Sequence, residues 1–390
     1  MAGLAAPWLF GLGIALLALA SAGAAYTLLA AWLLRGYRAQ ALVLTENAAL
    51  PITVLKPLYG AEPRLLQNLQ TLLAQDYPGP VQIIFGVREA TDPAVAVVQA
   101  LQNAHPQADI TLVIEPRRHG ANNKLSNLIN MAAHMRHPLV VLADSDVAVP
   151  PDCLRRLAAA LAEPGMGLVS CMHFGRGDAG FWSVLGAMDI SYRYMPSVAV
   201  ASATGLDQPC LGPTMALRRD TLDAVGGFGA FADVLADDYE LGRAVRALGL
   251  RIGIPRFSIV HSGDETTLRA LVAHELRWSR TIYGINPAGF AGSVVTHCLP
   301  LALLGVLLCA ALGTLGSAAL AVLAAAFFSR VLLVRVANRV AGFSSGPLWL
   351  LPLRDALSLA VFVVTFFVRT VSWRGARFSV ARDGRMATRD

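Results

Sequence analysis

From Trp8 to Leu34 the chain carries no charged residue. At 1.5 Å per helical residue that run can cross a ~30 Å hydrocarbon core with length to spare. No basic residue precedes it, and Arg35 and Arg38 follow it, so the pattern predicts an uncleaved anchor rather than a signal peptide. A second apolar block runs from about Ala291 to Phe328; it exceeds one ordinary span and reads as a helical pair turning near Gly313–Gly316. A third covers about Leu348 to Val368. Between the blocks, Pro51 to Gly289 has the mixed composition of a soluble domain, and its roughly 240 residues suffice for one substantial core.

Inside that stretch, short β-branched runs alternate with helix-length segments. Pro51–Pro57 is followed by a helix around Glu62–Ala74, and Val81–Val87 by one entered at Asp92–Pro93, an N-cap with proline at N1. Ile110–Ile114 precedes a helix near Lys124–His134. Leu139–Ala143 ends in Asp144-Ser145-Asp146, and Pro150–Pro151 open a further helix. Nearly continuous apolar strands separated by helices predict a parallel sheet covered on both faces. Ligands of such sheets bind beyond the carboxyl ends of the strands, so acidic residues placed there are informative.

Composition agrees with a membrane protein: 55% of residues are hydrophobic, 15% are charged, and the mean hydropathy is +0.53. The net charge of +6 could suggest nucleic acid. Many arginines, however, flank the apolar blocks (Arg35, Arg38, Arg330, Arg335, Arg339, Arg369, Arg374, Arg377), a distribution suited to anionic headgroups and the positive-inside rule. That rule puts the N-terminus outside and the soluble domain in the cytosol. Both Arg330–Arg339 and Arg369–Arg382 read as cytosolic, which a single span from Leu348 to Val368 cannot satisfy, so three or four spanning helices are open. The five cysteines are scattered with no Cys-x-x-Cys pair, indicating neither a disulfide framework nor a zinc site.

Four constellations carry candidate chemistry. Asp144 and Asp146, just after a buried strand, can hold a hard cation such as Mg²⁺ or Mn²⁺ through oxygen ligands, and such a cation neutralises a leaving diphosphate. As a bare triplet Asp-x-Asp is a weak signal; its place at a strand end makes it a strong one. Asp237 and Asp238 open a helix. Capping and the helix dipole account for one of them, while the functional reading makes one a general base for an acceptor hydroxyl. On a helix before the membrane returns, Arg277 and Trp278 read either as interfacial anchors or as a diphosphate contact and an acceptor wall. Lys124, near a helix N-terminus in "NNKLSNL", reads either as a phosphate contact or as part of a solvated helix start. Between Gly180 and Ala203, aromatic and apolar residues including Trp182 form either an interfacial segment lining a lipid's entry route or a buried core helix.

In this order, between membrane anchors, "KPLYGAEPRLLQNLQTLLAQDYP", "NNKLSNL", "ADSD", "ADDYELGRA" and "HELRW" resemble the ceramide glucosyltransferase family (glycosyltransferase family 21). The bacterial hopanoid-biosynthesis glycosyltransferases look like part of the same group. The resemblance runs from the first anchor into "VSWRGARFSV". It implies an α/β GT-A domain with N- and C-terminal transmembrane helices, a UDP-sugar donor, a divalent metal and inversion at the anomeric carbon. On the family pattern the nucleotide-binding acid falls on Glu89, where aspartate is more usual, with Asp92 nearby. Asp144 matches the metal and diphosphate acid, Asp146 a helper, and Asp238 the catalytic base; apart from the resemblance, Asp237 and Trp182 are candidate acceptor contacts. The closing motif usually begins with Gln or Arg; here His274 stands there, followed by matching Arg277 and Trp278.

The expected organisation is an anchor over 1–38, a cytosolic GT-A domain over 50–289, transmembrane helices over 290–370 and a basic tail over 371–390, in a bacterial inner membrane. The expected reaction moves glucose or N-acetylglucosamine from a UDP-sugar to a ceramide or hopanoid polyol, with no nucleic-acid partner. Two rivals remain: a processive polysaccharide synthase, which needs a pore usually built from more spans, and a non-catalytic membrane protein with a decayed transferase domain.

Overall fold

The computed structural model describes residues 2–39, 50–205, 208–368, 370–373, 376–380 and 386–388; Arg369, Arg374 and Arg382 lie outside them. Helix α1 (Ala2–Leu34) leads in. There follow β1 (Ile52–Pro57), α2 (Leu65–Leu73), β2 (Val81–Val87), α3 (Pro93–Ala104), β3 (Asp109–Ile114), α4 (Asn123–Ala132) and β4 (Leu139–Ala143). These four strands lie parallel in the order β3-β2-β1-β4, with Ile52 opposite both Val81 and Leu139. Each expected strand appears within a residue of its sequence bounds.

The sheet then stops being purely parallel. Through β5 (Val147–Ala148), α5 (Cys153–Leu161), β6 (Met166–Ser170), β7 (Met172–Gly177), α6 (Phe181–Asp189), a π turn (Ile190–Tyr194) and α7 (Met195–Thr204), the chain reaches β8 (Thr214–Arg218). Strand β8 inserts antiparallel between β4 and β6. After α8 (Arg219–Ala224) and α9 (Asp237–Ala247), β9 (Arg251–Gly253) closes the seven-stranded sheet, and β10 (Ser258–Gly263) joins β5 and β7 in a second, three-stranded one. The expectation of an all-parallel sheet is thus corrected beyond β4. The antiparallel strand needs no crossover helix of its own, so it leaves no helix-strand rhythm to read.

Period-two alternation sorts the strands' side chains onto two covered faces. Ile52, Val54, Ile83, Phe85 and Val141 pack under α2, α3 and α5. Leu55, Ile84, Val140 and Leu142 pack under α4 and α9 with Leu125 and Leu241. Each such fully buried side chain stabilises by about 1.5–3 kcal/mol.

The remaining helices are α10 (Leu268–Ile285), α11 (Pro287–Gly292), α12 (Cys298–Ala311), α13 (Ser317–Ala341) and α14 (Leu351–Thr365). A hairpin of β11 (Thr370–Trp373) and β12 (Ala376–Val380), extended by β13 (Met386–Thr388), ends the described chain where a plain tail was expected. Among the described residues, four helical stretches are long and apolar enough to cross a membrane: Pro7–Tyr37, Pro287–Ala311, Ser317–Ala341 and Leu348–Thr365. The turn between α12 and α13 falls at the expected glycines. A third apolar cluster welds the helices to the α/β domain, bringing Ala30 and Leu34 of α1, Leu333 of α13 and Leu351 onto Met188, Tyr192 and Val198.

Charge is buried at that junction. Arg330 grips Asp355 through two hydrogen bonds of 2.8 and 2.7 Å. Arg354 grips Glu275 at 2.5 and 2.8 Å and lies 3.6 Å from Asp189, which also pairs with Arg193 at 2.5 Å. Three guanidiniums balance three carboxylates, the condition under which buried charge is tolerable. Arg330 is therefore a structural partner, 3% exposed, and not the headgroup contact its sequence position implied.

Candidate active site

Beyond β4 the chain turns through Asp144-Ser145-Asp146 into β5, and this turn is held from every side. The Asp144 amide donates to Pro213 O (3.0 Å) and the Ser262 amide to Asp146 O (2.8 Å). Ser145 Oγ donates to Glu62 Oε1 at 2.8 Å. From β1, the wholly buried Lys56 donates to Val147 O at 3.1 Å. Burial draws the Lys56 pKa down to about 8 against the pull of Asp146, Asp144 and Glu62.

Helix α4 opens on Asn122, whose side chain accepts from the amides of Lys124 and Leu125, an N-cap of the usual kind. The same residue faces the chain entering α9: its Nδ2 donates to Val234 O and its amide to Ala232 O, both at 2.8 Å. The approach is so close that a Cβ on Gly120 would stand 2.5 Å from Ala232 O. Stitching α4 to α9 in this way puts Lys124 between the acids of α9 and the turn after β4. Its Nζ lies 2.7 Å from Asp144 and 3.6 Å from Asp237. Burial opposes the ammonium, but Asp144 and Asp237 more than restore it and hold the Lys124 pKa above the ordinary lysine value.

Asp238 follows on α9, against the bare backbone of Gly212, where a Cβ would come within 2.9 Å of its Oδ2. Its Oδ1 accepts from the Tyr239 amide at 2.8 Å. Burial first, then the charge of Asp237, push the Asp238 pKa up to about 6.

The opposite wall comes from β10 and α10. His261 Nε2 lies 3.3 Å from Asp146 Oδ2. Although burial disfavours its charge, Asp146 raises the His261 pKa to about 9, and the imidazolium in turn holds Asp146 below the usual carboxylate range. Trp278 stands with its ring centroid 6.3 Å from that of His261, 4.8 Å from His274 and 5.9 Å from Tyr194. His274 is held by the buried Glu265. The other Asp146 oxygen, Oδ1, is buried with no hydrogen-bond partner, which fits a place for a divalent cation. Among the described residues no group of three or more His, Cys, Asp or Glu is gathered for a metal. Such an ion would therefore rest on Asp144 and Asp146, with diphosphate and water filling its shell, as Mg²⁺ sites commonly do.

Of the residues singled out from sequence, Lys124, Asp144, Asp237 and Asp238 form one cluster. Asp146 extends it through His261 toward Trp278 and His274. Glu89 is exposed beyond β2. Asp92 caps α3 through Ala94 and also receives the Gly60 amide (3.0 Å), so it fastens the loop after β1. Arg277 is half-buried beside Trp278 on α10, and Trp182 is half-buried at the start of α6, edge-on to Phe181. Sequence reasoning missed Lys56, His261, Asn122 and Glu265. One signal was available: the chain has only two lysines, Lys56 and Lys124, among 32 basic residues, and both stand here.

The family model described as Glycosyl transferase family 21 matches residues 14–386. Ceramide glucosyltransferase 1 of Caenorhabditis elegans is 22% identical over 86% of this chain and 73% of its own length. Beta-monoglucosyldiacylglycerol synthase of Synechocystis is 28% identical over 55% of this chain and 44% of its own. A mannosyltransferase of Pyrobaculum calidifontis, solved with GDP-Man and Mn²⁺, superposes with a TM-score of 0.51 at 22% identity, covering 92% of this chain and 99% of that one. The fold is that of GT-A glycosyltransferases.

Proposed function

The chain belongs to glycosyl transferase family 21, and on that footing we propose that it moves one hexose, glucose or N-acetylglucosamine, from a UDP-sugar to a hydroxyl of a membrane lipid such as ceramide or a hopanoid polyol. The observation that carries this reading is Lys124, which spans Asp144 and Asp237 and so draws the acids after β4 and at the head of α9 into one site. Names of relatives that include ceramide glucosyltransferases and a glucosyldiacylglycerol synthase support a lipid acceptor.

Asp144 and Asp146 would hold a divalent cation, which when bound neutralises charge on the leaving diphosphate. Lys124 and Arg277 supply further positive charge toward the diphosphate. Glu89, at the open end of β2, is the candidate nucleotide contact and His274 a candidate phosphate contact, while Trp278 and Trp182 shape the acceptor side. Asp238 accepts the proton of the lipid hydroxyl as its oxygen bonds to the anomeric carbon, and the bond from that carbon to the diphosphate breaks. A pKa near 6 leaves Asp238 ionised at neutral pH yet more basic than a free aspartate. One displacement inverts the centre, so an α-linked donor yields a β-glycoside. The catalytic domain would face the cytosol, where UDP-sugars are made.

Mass spectrometry of lipids formed by the protein in liposomes, with a panel of UDP-sugars and acceptors, tests the reading. One sugar per lipid is expected. A long polymer would mark a polysaccharide synthase instead, and no nucleotide release with any donor would mark a non-catalytic protein.

A further inference from the structure

The last long apolar helix resembles a fourth span by length and composition, but its surroundings differ at neither end. Before α14, Ser345 Oγ lies 2.7 Å from Ser191 Oγ, and Gly346 packs on Met188 and Val184; these partners belong to α6 and the π turn of the catalytic domain. At its far end, Thr365 O accepts from Arg280 of α10, Phe366 meets Tyr283 edge-on, and β11 then packs on α10 as well. Midway, Leu359 touches the cluster that includes Cys298 and Leu301, the first turn of α12. Fifteen residues of helix are about 22 Å long at 1.5 Å each. A crossing helix of that length would carry its end away from the domain, and this one does not.

The side chains agree. One face buries Arg354, Asp355, Ser358 and Thr365 against the protein, while the opposite face exposes an unbroken stripe from Trp349 through Leu353, Ala360 and Val363 to Phe367. Trp349 is 74% and Phe367 79% exposed, one at each end. Charge on the chain agrees too. The exposed Arg335 and Arg339 precede α14, and Arg369, Arg374, Arg377 and Arg382 follow it. Basic residues favour one side of a membrane, so basic flanks at both ends place both ends there.

We propose that α14 does not cross the bilayer but lies along the surface nearest the catalytic domain, with the Trp349-to-Phe367 stripe sunk into the headgroup and acyl boundary. Helices α1, α12 and α13 then make three crossings. The C-terminal strands share a side with the catalytic domain, and the turn at 312–316 faces the other side. A helix with one lipid-facing apolar face and one face held by protein matches this position.

All five native cysteines are buried, so a membrane-impermeant maleimide reads single cysteines introduced into the full-length protein. In sealed vesicles of known orientation, Ser344→Cys and a cysteine added after Asp390 should label with Gln107→Cys of the catalytic domain, and Thr314→Cys should label only from the other side. Labelling of the Ser344 and C-terminal positions from opposite sides would overturn the proposal. A nitroxide at Leu353→Cys, Ala360→Cys or Phe367→Cys should report one shallow depth. A deep reading at 360 between shallow readings at 353 and 367 would equally overturn it. Neither measurement depends on turnover, so failure here leaves the proposed reaction standing.

Discussion

Replacing Asp238 by asparagine keeps its volume and removes the basic carboxylate proposed to take the acceptor's proton. General-base contributions run about 10²–10⁴-fold, so Asp238→Asn is expected to cut turnover by at least about 100-fold while UDP affinity, by calorimetry, stays within a few-fold. Near-normal turnover would remove Asp238 from the base role. With the wild-type carboxyl pushed up to about 6, protonation on its acid side ends its capacity as a base, so kcat/KM should fall as pH drops through that value. Because the Asp237 charge is the second cause of that elevation, Asp237→Asn should move the acid limb to lower pH. At this scale the sequence was most legible where acids cluster, since a carboxylate pair at the carboxyl end of a buried strand stands where such sheets bind their ligands. His261 was not legible: a lone histidine in a short strand looks like any core histidine until Asp146 is seen 3.3 Å away.

Among the elements, the βα units over 52–143 could be read from alternation and caps alone, because β1, β2 and β4 are buried on both faces and each helix has a polar side. The second sheet could not. Strand β5 is two residues long and β10 pairs with β7, some 85 residues earlier, so no local pattern announces it. The start of α4 illustrates how an element sets a site. Asn122→Ala removes an N-cap, a change that typically costs about 1 kcal/mol, and also the bond to Val234 that brings α9 near. The expected result is a lower melting temperature together with weaker donor binding, because Lys124 loses its fixed place between Asp144 and Asp237. Unchanged donor affinity in a destabilised variant would separate the cap from the site. On α6, a charged residue in place of Trp182 should impair long-chain acceptors more than short soluble analogues; equal loss for both would remove this helix from the acceptor's route.

For the molecule as a whole, the balanced set of buried arginines and acids joins membrane helices to catalytic domain. Arg330→Met strands Asp355 in the interior, and breaking a buried pair from one side costs about 3–5 kcal/mol. The double change Arg330→Met with Asp355→Leu should restore much of that stability, as read by thermal unfolding in detergent. The fit of the two bodies was invisible in sequence because arginines beside apolar blocks advertise lipid headgroups equally well.

Glu275 stands one residue from His274 and one turn from Trp278 on α10, and Arg354 anchors it. On the proposed reaction, with α14 at the bilayer surface, this clamp would fix the altitude of the reaction centre above the lipid, as a gauge block does. Each glycosylated product would then carry its free hydroxyls one ring farther outward, past the reach of a base that cannot rise to meet them. On the proposed reaction, termination after a single transfer would follow from geometry.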